Sequence, residues 1–422
     1  MLPNPEERKR LRQEKVAQRA EKQRKRLRIQ LIAAAAVVLA IAGLIFGLSR
    51  KKPQPDISNT QPPQQTESAA DTVPETTEPE TTTIHYAAVG DLNINDATVA
   101  AGGTGYDYTN TFLDVAHLLA DADIASVNFE GNLAGEPYGN SFSAPQTMAV
   151  ALQRAGVDLV QMANSYSINR GVSGLASSID AIRAAGMEPL GVYATNEAFK
   201  QGKGYTIRTV QGVKMAFVAF TKGMDGMALP PGSENCVNVL YSDYDSVYQN
   251  VDREKIGAIL DAVNKEKPDI TVALLHWGSE FNNTVSKSQE SIVSLLQANG
   301  VDAIIGTHSH YVQQMTFDAE KGQFVAYSLG DFFSDAQRAG SEYSVVLDLE
   351  ITKDNRTGKA KITNFSYTPI FTVNEAEKPL KVVRIQEAVE AYKSGYFQKV
   401  SQETYDKMVY ALDRIESRIA GE

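Results

Sequence analysis

From Ile84 onward the chain alternates two kinds of apolar pattern. Short runs of buried-strand character (His85–Gly90, Ile124–Phe129, Val157–Ala163, Met215–Phe220, Ile270–Leu275 and Val301–Gly306) are separated by stretches whose apolar residues recur at spacings of three and four. The second pattern predicts helices over 108–119, 174–185, 253–263 and 290–298. Strands that are apolar on both faces and alternate with helices are the signature of a layered α/β domain. Two similar phrases, 154–160 and 298–304, each read as a helix stopping at a glycine and feeding a strand. Past Asp331 the pattern turns to strict alternation over 343–351 and 359–367 around a turn at 354–358, which predicts an antiparallel hairpin. Residues 383–419 read as helical and polar.

The first 83 residues follow neither pattern. Residues 1–28 carry 11 Lys/Arg against 4 Asp/Glu, and residues 29–49 carry no charge at all. An uncharged apolar run of about 20 residues is long enough to cross the hydrocarbon of a bilayer. It is too long and too evenly apolar for an ordinary amphipathic helix. The basic flank on its N-terminal side predicts a cytoplasmic N-terminus, with everything after residue 52 outside. The long basic region, and the lack of an Ala-x-Ala site closing the apolar run, argue against a cleaved signal peptide. Residues 50–83, rich in Pro, Thr, Gln and Glu, predict a disordered spacer. The expected organisation is therefore a basic cytoplasmic segment (1–28), a transmembrane helix (29–49), a linker (50–83), a folded α/β domain (84–374) and a C-terminal helical extension (375–422).

Charge and cysteine narrow the function. Residues 53–422 carry 27 Lys/Arg against 47 Asp/Glu. So acidic a surface repels nucleic acid, which is excluded as a partner. The expected membrane partner is lipid, contacted through residues 29–49. The single cysteine, Cys236, allows no internal disulfide, so stability rests on the apolar core.

Candidate chemistry sits at the ends of the predicted strands. His276 and His308 follow two of the apolar runs, with His310 one residue further on, while Asp91, Glu130 and Asn164 end three others. Ligands of α/β sheets gather at the carboxyl ends of strands. Carboxylate, amide and imidazole together suit a divalent transition metal. In an extended strand His308 and His310 would face opposite sides, whereas in a turn both can converge. His85 and His117 read as structural. Trp277 and Lys222 are candidate substrate contacts beside the site.

Six ordered segments, 88–91, 127–133, 162–175, 275–281, 304–314 and 326–333, resemble the CapA family (PGA_cap domain). That family is associated with poly-γ-glutamate capsule synthesis and belongs to the calcineurin-like metallophosphoesterase superfamily. The resemblance covers roughly residues 84–372. It implies a four-layer α/β/β/α sandwich with a two-metal site, binding one or two divalent ions such as Mn, Fe or Zn. By position, Asp91 and His310 would serve one metal, Asn164, His276 and His308 the other, and Glu130 would bridge them, with Asn93 a possible additional ligand. The chain departs from the family where Asn-Asn-His becomes Asn164, Ser165 and Tyr166, where the following Asp becomes Asn169, and where Gly-His-His-Pro-His becomes Gly306–His310 with Thr307 in place of a histidine. Asp331 stands where Asn is common. Tyr166, in the place of the expected proton donor, is the candidate catalytic residue, and a phenol near pKa 10 is the weaker acid for that work.

Three functions follow as expectations. The first is a membrane-anchored extracytoplasmic CapA-like protein that makes, exports or anchors an anionic polymer of the poly-γ-glutamate type. It would work with other capsule-synthesis membrane proteins and retain a hydrolase site for the polymer or a phosphoester. The second is a catalytically impaired pseudoenzyme acting as a binding or scaffold module. The third is an extracellular metal-dependent phosphodiesterase unrelated to capsule.

Overall fold

The computed structural model describes residues 80–394 and 400–422. The expected cytoplasmic segment (1–28), the expected span (29–49) and nearly all of the expected linker (50–83) lie outside the described residues. Among the described residues no helix is long and apolar enough to cross a membrane.

Two sheets form the frame. The first contains β1 (Thr81–Asn93), β2 (Ile124–Glu130), β3 (Leu159–Gln161), β4 (Glu188–Leu190), β11 (Asp331–Phe333), β12 (Tyr343–Asp354), β13 (Ala360–Val373) and β14 (Lys381–Arg384). Its order is β14-β13-β12-β1-β2-β3-β4, with β11 pairing parallel to the end of β1. The second contains β5 (Tyr205–Val210), β6 (Val213–Thr221), β7 (Ile270–His276), β8 (Ala303–Thr307), β9 (Met315–Asp318) and β10 (Gln323–Ala326), in the order β5-β6-β7-β8-β10-β9. In the first sheet β1 to β4 pair parallel, while β12, β13 and β14 pair antiparallel on the other side of β1; in the second, β6, β7, β8 and β10 pair parallel, and β5 and β9 close the edges antiparallel.

Side-chain alternation explains how the sheets meet. Tyr86, Ala88 and Leu347 of the first sheet share one buried cluster with Phe217, Leu274 and Ile305 of the second, and the rings of Tyr86 and Phe217 meet edge to face at 5.6 Å. The opposite face of the first sheet packs on the helices Gln146–Arg154 and Gly171–Ala184. That of the second packs on Arg253–Glu266 and Lys287–Ala298. The layers therefore run helix, sheet, sheet, helix, and strands apolar on both faces are what such layering requires.

Three sequence expectations change in detail. The helix expected over 108–119 breaks into Thr109–Phe112 and Ala116–Ala120. The first strand starts at Thr81, taking the last residues assigned to the linker. The segment 375–422, expected as a helical extension, opens with a strand, because β14 joins the first sheet beside β13. The helix Gln402–Ile419 buries Met408, Ala411 and Ile415 in the cluster that holds Val345 and Ile362. An amphipathic face of that kind must be covered, and the sheet covers it. The hairpin of β12 and β13 and the two helix-to-strand joints, turning at Gly156 and Gly300 with φ of 104° and 87°, form as the pattern predicts.

The strand starts share a device. Asp123, Asp158, Asp269 and Asp302 each immediately precede a strand, donate their backbone N–H to a carbonyl of the neighbouring strand and accept the N–H of that same residue on the carboxylate. The partners are His85, Ala125, Lys214 and Thr271, with carboxylate distances of 2.7 to 2.8 Å.

Candidate metal centre

The opposite, carboxyl-terminal ends of the strands carry the site. Asp91 lies near the end of β1, Glu130 at the end of β2, Asn164 just beyond β3, His276 at the end of β7, and His308 and His310 in the turn after β8. All are buried except His310, which is partly exposed. Gly90 lets the first sheet tighten here: a Cβ at this position would lie 1.8 Å from the Gly330 carbonyl oxygen, the atom that accepts the Asp91 N–H at 3.0 Å. The turn after β8 is left-handed at both histidines, with φ of 90° at His308 and 59° at His310. It brings both rings to one side, their centroids 6.4 Å apart.

The ligand atoms of Glu130, His276 and His308 lie within 4.8 Å of one another, and so do those of Asp91, Glu130 and His310. Glu130 is common to both groups. Its Oε1 lies 3.2 Å from His276 Nε2, while Oε2 is buried without a partner. His308 donates its backbone N–H to Asp91 Oδ2 at 2.8 Å, yet among the described residues neither of its ring nitrogens has a hydrogen-bond partner. Asn164 donates to Asn128 Oδ1 and to the Phe129 carbonyl, and its own Oδ1 accepts the Tyr166 N–H. That oxygen keeps one further lone pair.

Burial dominates the electrostatics. It pushes Asp91 up to about 7, helped by the neighbouring Glu130 carboxylate, and Glu130 up to about 8. It pushes His276 down to about 3 and His308 well below the usual imidazole value. His310 goes the other way. Burial opposes its charge, but the Asp331 carboxylate at 2.8 Å outweighs this, aided by Glu130 and Asp91, and raises it to about 11. Two carboxyls that resist ionisation beside two imidazoles that resist protonation are groups without a satisfied charge state.

Of the other expected residues, Asn93 and Tyr166 line a cleft of about 350 Å³ that opens onto His310 and Asp331. Tyr166 stacks on Phe142 at 4.0 Å, and burial, followed by the Glu130 charge, raises its hydroxyl pKa further above the ordinary tyrosine value. Lys222 is half-buried, donates to the Gly278 carbonyl at 3.1 Å and lies 5.2 Å from the Tyr248 ring centre; burial lowers its pKa. Trp277 does not reach the cleft. Its ring lies in the outer core, stacked on Tyr327, with Nε1–H donated to the Tyr327 carbonyl at 2.9 Å.

Sequence reasoning missed four participants. Asn128 donates to Asp91 Oδ1 at 2.6 Å and also meets His276 Nδ1 at 3.3 Å. A lone amide inside the apolar strand Ile124–Phe129 was the available signal. Ser165 Oγ meets His276 Nε2 at 3.1 Å, Asp331 backs His310, and Phe281 stacks on His310 at 4.8 Å. Ser165 and Asp331 carried a cue, as departures from the resembled family.

A family model, "Bacterial capsule synthesis protein PGA_cap", matches residues 85–336. The chain belongs to this family of bacterial capsule synthesis proteins. It is 28% identical over 265 residues to the capsule biosynthesis protein CapA of Bacillus anthracis, covering 60% of each chain. It is 26% identical over 228 residues to the PGA biosynthesis protein CapA of Bacillus subtilis, covering 53% of each. The match thus spans little more than half the length of these curated relatives. Among solved structures, a calcineurin-like phosphoesterase of Bacillus subtilis aligns at 16% identity and a TM-score of 0.43, covering 81% of this chain and 98% of its own.

Proposed function

We propose that this chain is a membrane-anchored, extracytoplasmic capsule-synthesis protein that uses one or two divalent cations while making, exporting or attaching an anionic polymer of the poly-γ-glutamate type. The observation that carries the metal reading is the set of stranded ligand atoms: Glu130 Oε2 and both ring nitrogens of His308 are buried with no partner, in a cluster of carboxylates and imidazoles. Buried polar atoms are almost always paired, and mixed oxygen and imidazole donors suit Mn, Fe or Zn.

Asp91, Glu130 and His310 would hold one cation. Glu130, His276 and His308 would hold the other, with Asn164 offering its free lone pair and Asn93 available from the cleft wall. When bound, such cations polarise a phosphoryl or acyl oxygen and acidify water to near-neutral pH. The chain's own residues do the rest. Asn128 fixes the Asp91 carboxylate, and the cleft beside His310 admits the bond to be cleaved. Tyr166 offers a hydrogen bond from the cleft wall while holding its own proton. The class of reaction is hydrolysis of a phosphoester or amide.

A second reading, a scaffold that has lost turnover, draws support from Tyr166 and Thr307, which replace two histidines of the family pattern. The anchor at 29–49 would tether either form to lipid and to other membrane proteins of the capsule system.

Metal analysis and turnover of a generic phosphodiester by the purified full chain test both readings. Near-stoichiometric Mn, Fe or Zn, with activity lost in His308→Ala, supports the hydrolase. Bound metal without turnover, and turnover gained in Tyr166→His, supports the scaffold. A chain that takes up no metal overturns the metal reading. Placement outside the membrane is tested separately, by cleavage of the folded unit when protease is added to intact protoplasts.

A further inference from the structure

The two ligand groups are unequal, and the difference lies behind the imidazoles. His310 is backed by a carboxylate: its Nδ1 lies 2.8 Å from Asp331 Oδ1, and Phe281 stacks on the ring at 4.8 Å. In the neutral ring that bond makes Nδ1 the donor and leaves the lone pair on Nε2. Asp331 is itself held in place, since it heads β11 directly opposite Asp91 on β1. Among the described residues no carboxylate stands so close behind the other group. His276 Nδ1 meets Thr307 Oγ1 at 3.2 Å and Asn128 Nδ2 at 3.3 Å, with Asp91 Oδ1 only at 4.0 Å. His308 has no partner on either ring nitrogen.

Resting on the metal reading above, we infer that Asp331 is a positioning residue that sets the order of filling: the Asp91, Glu130, His310 group takes a divalent cation first, and the Glu130, His276, His308 group takes the second more weakly. Two physical terms favour this order. A carboxylate behind a ligating imidazole fixes its tautomer and raises its basicity, and loss of such a partner costs roughly 10–100-fold in metal affinity. The first group also has two carboxylates among its three ligands and a third behind them, whereas the second has Glu130 alone.

The experiment titrates the metal-stripped full chain with Mn(II), following free and bound ion by electron paramagnetic resonance. Two steps are expected, the first at least about ten-fold tighter, with an isolated-ion spectrum after one equivalent and a coupled pair after two. Asp331→Asn should weaken the first step about 10–100-fold and the second far less. His276→Ala should remove the second step and keep the first, which reads the order even if the Asp331 variant fails to fold. Loss of the first step in His276→Ala, or an unchanged first step in a folded Asp331→Asn, overturns the inference while leaving the metal reading intact. Uptake of two equivalents in one step by the unaltered chain also overturns it. No uptake by the unaltered chain overturns both.

Discussion

Acidic residues crowd both edges of the parallel strands, and they behave in opposite ways. At the amino-terminal edge, Asp123, Asp158, Asp269 and Asp302 each clasp a neighbouring strand, giving one backbone hydrogen bond and receiving another. At the carboxyl-terminal edge, Asp91 and Glu130 crowd together with buried imidazoles, and Glu130 Oε2 and His308 are left with unpartnered atoms. Burial penalises charge at both edges, for it lifts Asp302 to about 6 in spite of the Thr271 N–H. What differs is completion: the first edge satisfies its acids from the backbone, and the second leaves ligand atoms without a partner among the described residues. A carboxylate at a strand end is therefore structural or chemical according to whether the sheet itself supplies its partner.

The largest effect is expected at Glu130, common to both ligand groups. Glu130→Gln keeps the shape and removes the charge, so uptake should fall at both positions together, by more than the roughly 100-fold that loss of an outer partner brings. Calorimetry of the metal-stripped variant should show the opposite trend, a higher melting temperature, because one buried and repelled carboxyl is gone. A lower melting temperature in the metal-stripped state would mean that Glu130 is satisfied within the protein, and the contrast between the edges would fail.

At the other edge the signs reverse. Asp158→Ala leaves the Ala125 N–H without its acceptor at 2.8 Å and should cost about 1–3 kcal/mol in denaturant unfolding, with metal stoichiometry unchanged. Loss of metal on this substitution would join two edges that are separate in the structure.

The pH profile of the metal-stripped chain reads the same contrast. Above pH 6.5, Asp91 with a folded value of about 7, Glu130 at about 8 and His310 at about 11 all hold protons that the unfolded chain has released or is releasing. The folded state then binds more protons than the unfolded, so stability falls as pH rises, by roughly 1–3 kcal/mol between pH 6.5 and 8. His276 and His308 oppose this only in acid, where their depressed values make stability rise with pH up to about 6.5. Saturating Mn(II) should flatten the fall, because bound metal requires deprotonated ligands in the folded state. A profile flat from pH 6.5 to 8 without metal would deny the raised carboxyls.

Much of this was legible in the sequence, since strands apolar on both faces announce their own ends. Asp91, Glu130, Asn164, His276, His308 and His310 could be placed at those ends before their spatial relation was known. Asn128, Ser165 and Asp331 were harder, because they act on other side chains and the contact depends on sheet order: β1 lies between β12 and β2, while β11 returns to pair with its far end. The split of the helix expected over 108–119 was hidden for a related reason. Its spacing of three and four persists across the break, and Phe112 and Val115 are both buried on either side of it. The placement of residues 375–422 was not legible, because a polar amphipathic helix does not say which surface covers its apolar stripe.

Trp277 gives the smallest expected effect and the cleanest division between core and site. An aromatic directly after His276 invites a substrate-contact reading, yet the side chains of adjacent residues at a strand end point to opposite faces. His276 turns toward the metal-ligand cluster, and Trp277 turns into the outer core against Tyr327. Trp277→Phe keeps most of the apolar contact and removes the N–H donated to the Tyr327 carbonyl, an acceptor that then lies in a largely buried place. The loss should be about 1 kcal/mol of stability. Metal stoichiometry should not change, and KM for any substrate turned over should move by less than about three-fold, roughly 0.6 kcal/mol. A larger change in KM at unchanged stability would put the indole on the substrate side of the strand, and the alternation that separates the core face of β7 from its chemical face would have to be redrawn.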